Sequence, residues 1–435
     1  MIRRSKNKNF PGLKRIFIFS YDAFANYDWE AAAKLPNLSK LIEKSSYSQN
    51  VISTNPSITY VAHTTMMTGL EPNQHLIGHN KPLQPFQPES LQKWNWYDKE
   101  IAGDTLYDLL QKDKKRVASI LWPVTAKAKI RYNLPEVHAI GRENQSLKVL
   151  LSGSPLYCIE MSRRFGHLRR GIEQPYLDDF TAASAIYTWQ KYQPELLLLH
   201  QIELDTINHH FGTGGAEVQK SRENMDRRIG QVFQAIKDAG FEDETAFVII
   251  GDHSHLDSHT TIYLNRLLAL LGLIEAKKKK PNWRAWFQST GGGAYLHLPE
   301  GEEYLLPLIT EVLHNFKNRY KDSINRILNR EEMDAFQMIK GPQLFVEGCP
   351  GFVFDDTWLG LDTEASFFGP AQGSDHGYLN DLPGYRSNVL FKGPWFKEDF
   401  EFGQIDLADF AVTLAYLFDY KLQGSRGRVI EEIFK

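Results

Sequence analysis

The feature that most limits how this chain can fold is a set of short apolar runs, two of which end in an acidic side chain. Residues 14–22 form a β-rich run that ends in Asp22, and residues 245–252 form another that ends in Asp252. Residues 194–201 are almost continuously apolar, as the central strand of a parallel sheet is. Amphipathic segments alternate with these runs, which predicts an α/β fold with a mainly parallel sheet and helices on both faces.

The length and composition predict more than one structural unit. The chain has 435 residues, 42% of them hydrophobic, which suffices for a sizeable core. The alternating pattern changes after Asn265 and resumes at Gly369. We therefore predict a core of residues 1–265 and 369–435 and an inserted cap of residues 266–368, which includes a charged loop at residues 277–280.

The charge and the cysteine content exclude several classes of protein. The formal net charge of −3 gives no basic field that would indicate nucleic-acid or anionic-membrane binding. The start of the chain, residues 1–8, is basic, but the apolar run at residues 16–19 is too short for a signal sequence. Two cysteines make no disulfide framework. These observations predict a soluble, cytoplasmic protein without a membrane partner, and they leave its oligomeric state open.

Asp and His side chains recur where the predicted strands end. In an open α/β sheet, ligands bind outside the carboxyl ends of the strands, so we expect these side chains to converge. Their oxygen and nitrogen atoms suit Zn²⁺ and, less specifically, Mn²⁺. Two metal ions about 3.5–4 Å apart would clamp the attacking and leaving oxygens of a displacement at phosphorus. The candidate ligands are Asp22, Asp205, His209, Asp252, His253 and His376.

Each of these elements also has a simpler interpretation. An Asp at a strand end is commonly a helix cap or a turn former. Asp205 and His209 are four residues apart and would lie on one face of a helical turn. His210, His255 and His259 lie beside candidate ligands, and we interpret them as supporting or pocket groups, with simple exposure as the alternative. The combined pattern of Asp and His residues indicates a metal site more specifically than any single element does.

A nucleophile is expected in residues 55–70, where a helix follows a loop. A hydroxyl needs a base or a metal to act as a nucleophile at neutral pH, and a helix N-terminus favours a phosphoryl group. Ser57, Thr59, Thr64 and Thr65 are all candidates by their chemistry, and any of them could instead cap the helix.

Together these segments resemble the type I phosphodiesterase/nucleotide pyrophosphatase family of the alkaline phosphatase superfamily, over nearly the whole chain. The motifs that carry the resemblance are the strand ending in Asp22, Thr59 with residues 67–75 (MTGLEPNQH), residues 121–125 (LWPVT), Asp205-x-x-x-His209-x-x-Gly212, Gly251-Asp252-His253, His376-Gly377-Tyr378, and residues 405–408 and 427–430.

The resemblance implies an alkaline-phosphatase-like core, a metal-dependent hydrolase of phosphodiester or phosphoanhydride bonds, and a small phosphorylated substrate such as a nucleotide. It implies Thr59 as the nucleophile, which forms a phosphoryl-Thr59 intermediate. One metal ion would be held by Asp22, Thr59, Asp252 and His253. The other, held by Asp205, His209 and His376, would activate the water that hydrolyses the intermediate.

Two positions depart from the family pattern. The family has Asn where this chain has Ala62, and Gly where it has Ser254. We expect Tyr60, Ala62 and Asn80 to lie at the substrate. Because alanine cannot donate a hydrogen bond to a phosphoryl oxygen, the protein would either turn over more slowly or take that bond from Asn80 or a backbone N–H at the start of the Thr59 helix, and we favour the second. Tyr60 would either stack on a leaving group or pack internally. Alternative functions are a phosphomonoesterase or phosphonate hydrolase on the same metal core, a phosphoryl-group transferase, and a non-enzymatic binding protein.

Overall fold

The structure is a computed structural model that describes residues 9–275, 282–360 and 364–435. The basic start of the chain and the charged loop at residues 277–280 lie outside the described residues. None of the helices within the described residues combines the length and the apolar character that crossing a bilayer requires.

Strands and helices alternate along most of the chain. The strands are β1 Arg15–Tyr21, β2 Ser45–Ile52, β3 Val117–Ile120, β4 Tyr132–Leu134, β5 Leu196–Gln201, β6 Thr245–Ile250, β7 Leu256–Asp257, β8 Thr260–Ile262, β9 Ile274–Glu275, β10 Asn282–Trp283, β11 Trp286–Ser289, β12 Gly293–His297, β13 Ile324–Leu328, β14 Leu344–Gly348, β15 Phe352–Phe354, β16 Phe368–Pro370, β17 Ser374–Asp375, β18 Ser387–Lys392, β19 Phe400–Glu401 and β20 Ile405–Asp406. The helices are α1 Trp29–Ala32, α2 Leu38–Ile42, α3 Thr59–Thr68, α4 Pro72–His75, α5 Leu106–Lys112, α6 Gln145–Ser152, α7 Pro155–Phe165, α8 Tyr176–Tyr192, α9 Glu203–Phe211, α10 Ala216–Asp238, α11 Leu264–Leu270, α12 Leu306–Arg319, α13 Arg330–Ala335 and α14 Leu407–Leu417.

The central sheet is mainly parallel, as predicted. Its strand order is β19-β2-β18-β6-β1-β5-β3-β4, and β20 also pairs with β2. Strand β1 lies parallel to both β5 and β6, whereas β18 runs antiparallel to its neighbours β2 and β6. The five strands from β6 to β4 therefore all end at the same edge of the sheet.

Both faces of the sheet are covered, because successive side chains of a strand point to opposite faces. On one face, Ile16 and Ile18 of β1 belong to a buried cluster that includes side chains of α3, α5 and α14. On the other face, Phe17 and Phe19 pack in a cluster with Trp189 of α8 and with side chains of α10. This arrangement confirms the predicted two-sided α/β architecture.

The segment predicted as a cap contains a second, antiparallel sheet with the order β11-β12-β14-β13. Side chains of this sheet form a separate buried cluster with α11 and α12. Strands β7 and β17 lie in the two segments predicted as core. They form a short antiparallel ribbon in which Ser374 pairs with Asp257. The boundaries at residues 265 and 369 stay a prediction.

Candidate active site and metal centre

The carboxyl ends of β1 and β6 bring the first group of predicted residues together. Because Ser20 of β1 pairs with Ile250 of β6, Asp22 and Asp252 leave the sheet side by side. The His253 Nε2 atom lies 3.1 Å from Asp22 Oδ1 and 3.3 Å from Asp252 Oδ2. It also lies 3.1 Å from the Thr59 Oγ1 atom. Two carboxylates, an imidazole and a hydroxyl thus converge on one point.

The carboxylate oxygens of this group are better satisfied by a bound cation than by hydrogen bonds from the other side chains of the group. Asp22 Oδ1 and Asp252 Oδ2 are buried and make no hydrogen bond within the described residues. Burial, followed by the charge of Asp22, raises the pKa of Asp252 to about 7. Buried carboxylates are stable when they are paired with a cation or coordinate a metal. These four side chains are therefore suited to hold a divalent metal ion.

The second group forms around Asp205 near the start of α9. Asp205 and His209 face each other across one helical turn, with 3.4 Å between Asp205 Oδ1 and His209 Nε2. Ligand atoms of Asp205, His209, His255 and His376 all lie within 4.8 Å of one another. His255, which the sequence suggested as a supporting or pocket group, is thus part of the cluster itself. Asp205 also lies within 4.8 Å of Asp22 and His253, so the two groups are adjacent.

The other two neighbouring histidines lie outside this cluster. His210 is exposed, and its Nδ1 atom lies 2.7 Å from the Thr206 carbonyl oxygen, to which it donates. His259 is exposed too and packs against the ring of Phe352. Simple exposure, the alternative interpretation of these histidines, therefore fits both His210 and His259.

Among the candidate nucleophiles, Thr59 alone contacts a predicted metal ligand within the described residues. It is the first residue of α3, so its hydroxyl lies at the N-terminus of a helix. The hydroxyls of Thr64 and Thr65 donate to the carbonyl oxygens of Tyr60 and Leu70. Ser57 is fully buried before the helix. This geometry favours Thr59.

A cavity of about 620 Å³ adjoins the second group of ligands, and His209 and His376 lie in its wall. Asn80 and the half-buried cation of Lys81 line it as well. Its apolar wall is largely aromatic and includes Phe86, Trp94, Trp286 and Trp358. Apolar walls with a few polar groups are typical of small-molecule sites.

The three predicted substrate-binding residues differ in where they lie. Asn80 lines the cavity, and its Oδ1 atom accepts a hydrogen bond from the Tyr60 N–H. Tyr60 is only 1% exposed, its hydroxyl donates to Glu136, and its ring packs against Trp94. Of the two interpretations of Tyr60, internal packing is the one that the structure favours.

Ala62, the third of these residues, is not among the described residues that line the cavity, and its contact with a substrate stays a prediction. It is fully buried and belongs to the apolar cluster that covers one face of the sheet. The cluster also contains Met66 and Met67, which lie one helical turn further along α3.

Sequence reasoning missed His200, which contacts the Asp22 carboxylate at the oxygen that does not face His253. Its Nε2 atom lies 3.1 Å from Asp22 Oδ2, and its Nδ1 atom lies 3.2 Å from the Leu121 carbonyl oxygen. Burial would lower the pKa of His200, but the contacts with Asp22 and Glu136 outweigh it and hold the pKa well above its ordinary value. A histidine inside an otherwise apolar strand run was the signal that could have revealed it.

The fold and the site define the class of this protein: it has an alkaline-phosphatase-like α/β core. The profile of the family described as type I phosphodiesterase / nucleotide pyrophosphatase matches residues 16–338, which is more than half of the chain. The chain belongs to this family, which confirms the resemblance seen in its motifs.

Individual relatives agree with this assignment at low identity. Ectonucleotide pyrophosphatase/phosphodiesterase family member 1 of Mus musculus is 24% identical over 58% of this chain and 25% of its own length. A venom phosphodiesterase of Naja atra is 20% identical over 95% of this chain and 45% of its own length. The chain thus spans less than half the length of these curated relatives.

A solved structure of murine ectonucleotide pyrophosphatase/phosphodiesterase 5 shares the fold. It aligns with a TM-score of 0.70 and 16% identity, covering 97% of this chain and all of the other. That structure is of an inactive threonine-to-alanine variant in complex with AMP.

Proposed function

We propose that this protein is a metal-dependent hydrolase of phosphodiester or phosphoanhydride bonds that uses Thr59 as its nucleophile. The observation that carries the proposal is the contact of 3.1 Å between Thr59 Oγ1 and His253 Nε2, at a helix N-terminus and beside two groups of Asp and His side chains. Family membership supports the reaction class.

The residues present fit two divalent metal ions. Asp22, Thr59, Asp252 and His253 would hold one ion, and Asp205, His209 and His376 would hold the other. Asp22 Oδ1 and Asp252 Oδ2, which are buried and make no hydrogen bond within the described residues, support the first site. Nitrogen and oxygen ligands suit Zn²⁺, with Mn²⁺ as the alternative. Bound metal ions would lower the pKa of a hydroxyl or a water and neutralise charge that develops on phosphoryl oxygens.

The chain's own groups would act in two displacements. The Thr59 oxygen forms a bond to phosphorus while the bond from phosphorus to the leaving oxygen breaks. Water then attacks the phosphoryl-Thr59 ester, forms a new bond to phosphorus and releases the Thr59 hydroxyl. The N-terminus of α3 at Thr59 and the NH₂ group of Asn80, whose Oδ1 atom accepts from the Tyr60 N–H, would stabilise the charge on non-bridging oxygens.

We further propose a nucleotide as the substrate. The aromatic wall of the cavity offers surfaces on which a base can stack, and the AMP complex of the murine structure supports this choice. A phosphomonoester substrate and transfer to an acceptor alcohol are the alternatives. The cytoplasmic location expected from the sequence stays a prediction.

Metal content and hydrolysis of two model esters test the proposal. We expect about two bound divalent ions per chain, faster turnover of bis-p-nitrophenyl phosphate than of p-nitrophenyl phosphate, and loss of both activities on chelation. Thr59→Ala should abolish turnover and Thr59→Ser should retain part of it, whereas Thr64→Ala should stay active. Activity that survives exhaustive chelation, or in the Thr59→Ala variant, would overturn the proposal. A preference for the monoester would select the phosphomonoesterase alternative.

A further inference from the structure

We propose that His255 is a fourth protein ligand of the second metal site, with Asp205, His209 and His376. This assignment rests on the two-metal function proposed above and adds a ligand to it. The His255 Nε2 atom lies 2.9 Å from Asp205 Oδ1, closer than the corresponding atom of His209, which lies 3.4 Å away.

The hydrogen bonds behind the ring determine which nitrogen of His255 is free. Its Nδ1 atom lies 3.0 Å from Ser374 Oγ, and Ser374 Oγ donates its proton to the Asn208 carbonyl oxygen at 2.9 Å. Since a serine hydroxyl has one proton, His255 Nδ1 must be the donor in its contact with Ser374. The nitrogen left to present a lone pair is Nε2, the one that faces Asp205.

Ser374 orients a second histidine in the same way. The His209 Nδ1 atom lies 3.0 Å from the Ser374 carbonyl oxygen and donates to it, so its Nε2 atom is also left facing Asp205. One residue therefore directs the Nε2 atoms of both His209 and His255 at the same carboxylate. Histidine ligands of metals are oriented in this manner, by a hydrogen bond from the ring nitrogen that does not bind the metal.

The three rings surround one volume. The ring centroids lie 4.7 Å apart for His209 and His255, 5.2 Å for His255 and His376, and 5.1 Å for His209 and His376. Pairing of Ser374 with Asp257 holds the segment that carries His255 against the segment that carries His376. His255 is buried, and a nitrogen of the neighbouring His376 is buried without a hydrogen-bond partner in the described residues.

Metal titration of the apo-protein tests the assignment without relying on activity. We would titrate Zn²⁺ and Co²⁺ into the wild type, His255→Ala, His255→Gln and His210→Ala, and record stoichiometry, affinity and the visible absorption of Co²⁺. His210→Ala is the matched control because His210 is exposed on α9, the helix that carries Asp205 and His209, and only donates to a backbone carbonyl. Circular dichroism and the apo Tm would verify that each variant is folded.

If His255 is a ligand, His255→Ala should weaken binding at one site by more than about 100-fold, which exceeds the roughly 10–100-fold typical of a residue that only orients a ligand. X-ray absorption of the Zn²⁺ form should show one imidazole fewer per chain, and His255→Gln should not restore affinity. Recovery of affinity in His255→Gln, or a loss of no more than about 100-fold in His255→Ala, would overturn the assignment and leave His255 as a hydrogen-bond donor to Asp205.

The same titration separates this proposal from the one on which it rests. A wild type that binds two ions and hydrolyses diesters, with a His255→Ala variant that binds both ions equally well, contradicts only the His255 assignment. A wild type that binds no metal contradicts both.

Discussion

The Asn80 side-chain oxygen accepts a hydrogen bond of 2.9 Å from the backbone N–H of Tyr60, the residue that follows Thr59. Because the oxygen is held in this way, the amide NH₂ is the part of Asn80 left to face the cavity that it lines. The proposed nucleophile Thr59 and this hydrogen-bond donor are thereby held at a fixed position relative to each other, although Thr59 and Asn80 are 21 residues apart in sequence.

We therefore expect Asn80→Ala to lower kcat on bis-p-nitrophenyl phosphate by about 10²–10³-fold, the cost typical of losing one preorganised oxyanion donor. Asn80→Asp should be at least as slow, because it keeps the bond to Tyr60 and replaces the donor by a negative charge. Gln92→Ala is the control, since Gln92 lines the same cavity but donates to the Gln87 carbonyl oxygen. Near-normal kcat in Asn80→Ala would show that the donor lies elsewhere.

Ala62→Asn is expected to lower both stability and kcat. Ala62 is fully buried in the apolar cluster that contains Met66 and Met67, so a larger polar side chain overpacks the core and buries an amide. Overpacking costs about 1–3 kcal/mol. Urea unfolding measures the stability, and Ala62→Ser, which adds one hydroxyl, should cost less. A higher kcat with unchanged metal content would contradict this expectation.

Arg228→Met should destabilise the protein far more than Arg227→Met. Arg228 is fully buried, and its guanidinium lies 2.5 Å from Glu203 and 2.8 Å from Asp179. Its removal leaves the buried carboxylate of Glu203 without a cation, which costs about 3–5 kcal/mol. The partly exposed Arg227 contacts Asp179 at 2.7 Å, and such pairs contribute at most about 1 kcal/mol. Equal losses of unfolding free energy would contradict the prediction.

The stability of the protein should fall between pH 7 and pH 5, in part because of His75. This buried residue accepts a hydrogen bond from the Ile77 N–H at Nδ1, which leaves its Nε2–H to donate to Thr65. Burial lowers the pKa of His75 to about 3. Below the ordinary histidine pKa of about 6.5 the unfolded chain binds a proton that the folded chain excludes, so folding loses free energy as the pH falls.

At pH 5 this effect of His75 lowers the free energy of unfolding by about 2 kcal/mol, which is about 1.36 kcal/mol for each pH unit below the unfolded pKa. Urea unfolding at pH 7 and pH 5 in the wild type and in His75→Gln measures it, because Gln keeps a donor and an acceptor and does not titrate. The difference between pH 7 and pH 5 should be smaller in the variant. An identical pH dependence in both proteins would rule out this role of His75.

Strand β2 shows why part of the fold was not predictable from the sequence. Its segment, Ser45–Ile52, is rich in serine, yet it lies inside the central sheet between β18 and β19. The Ser46 and Ser48 hydroxyls donate to the carbonyl oxygens of Lys397 and Gly403. Because these acceptors are more than 350 residues away, no local pattern reveals that the polar side chains can be buried.

The sequence by itself determined the strands that end in Asp22 and Asp252, because an apolar run followed by an acid is a local pattern. It also determined the helical spacing of Asp205 and His209, which depends only on neighbouring residues. The tertiary structure alone decided that His255 joins Asp205, that Ala62 faces the core and that His200 supports Asp22. Each of these depends on contacts between segments distant in the chain, and such contacts follow from packing and burial that no local pattern encodes.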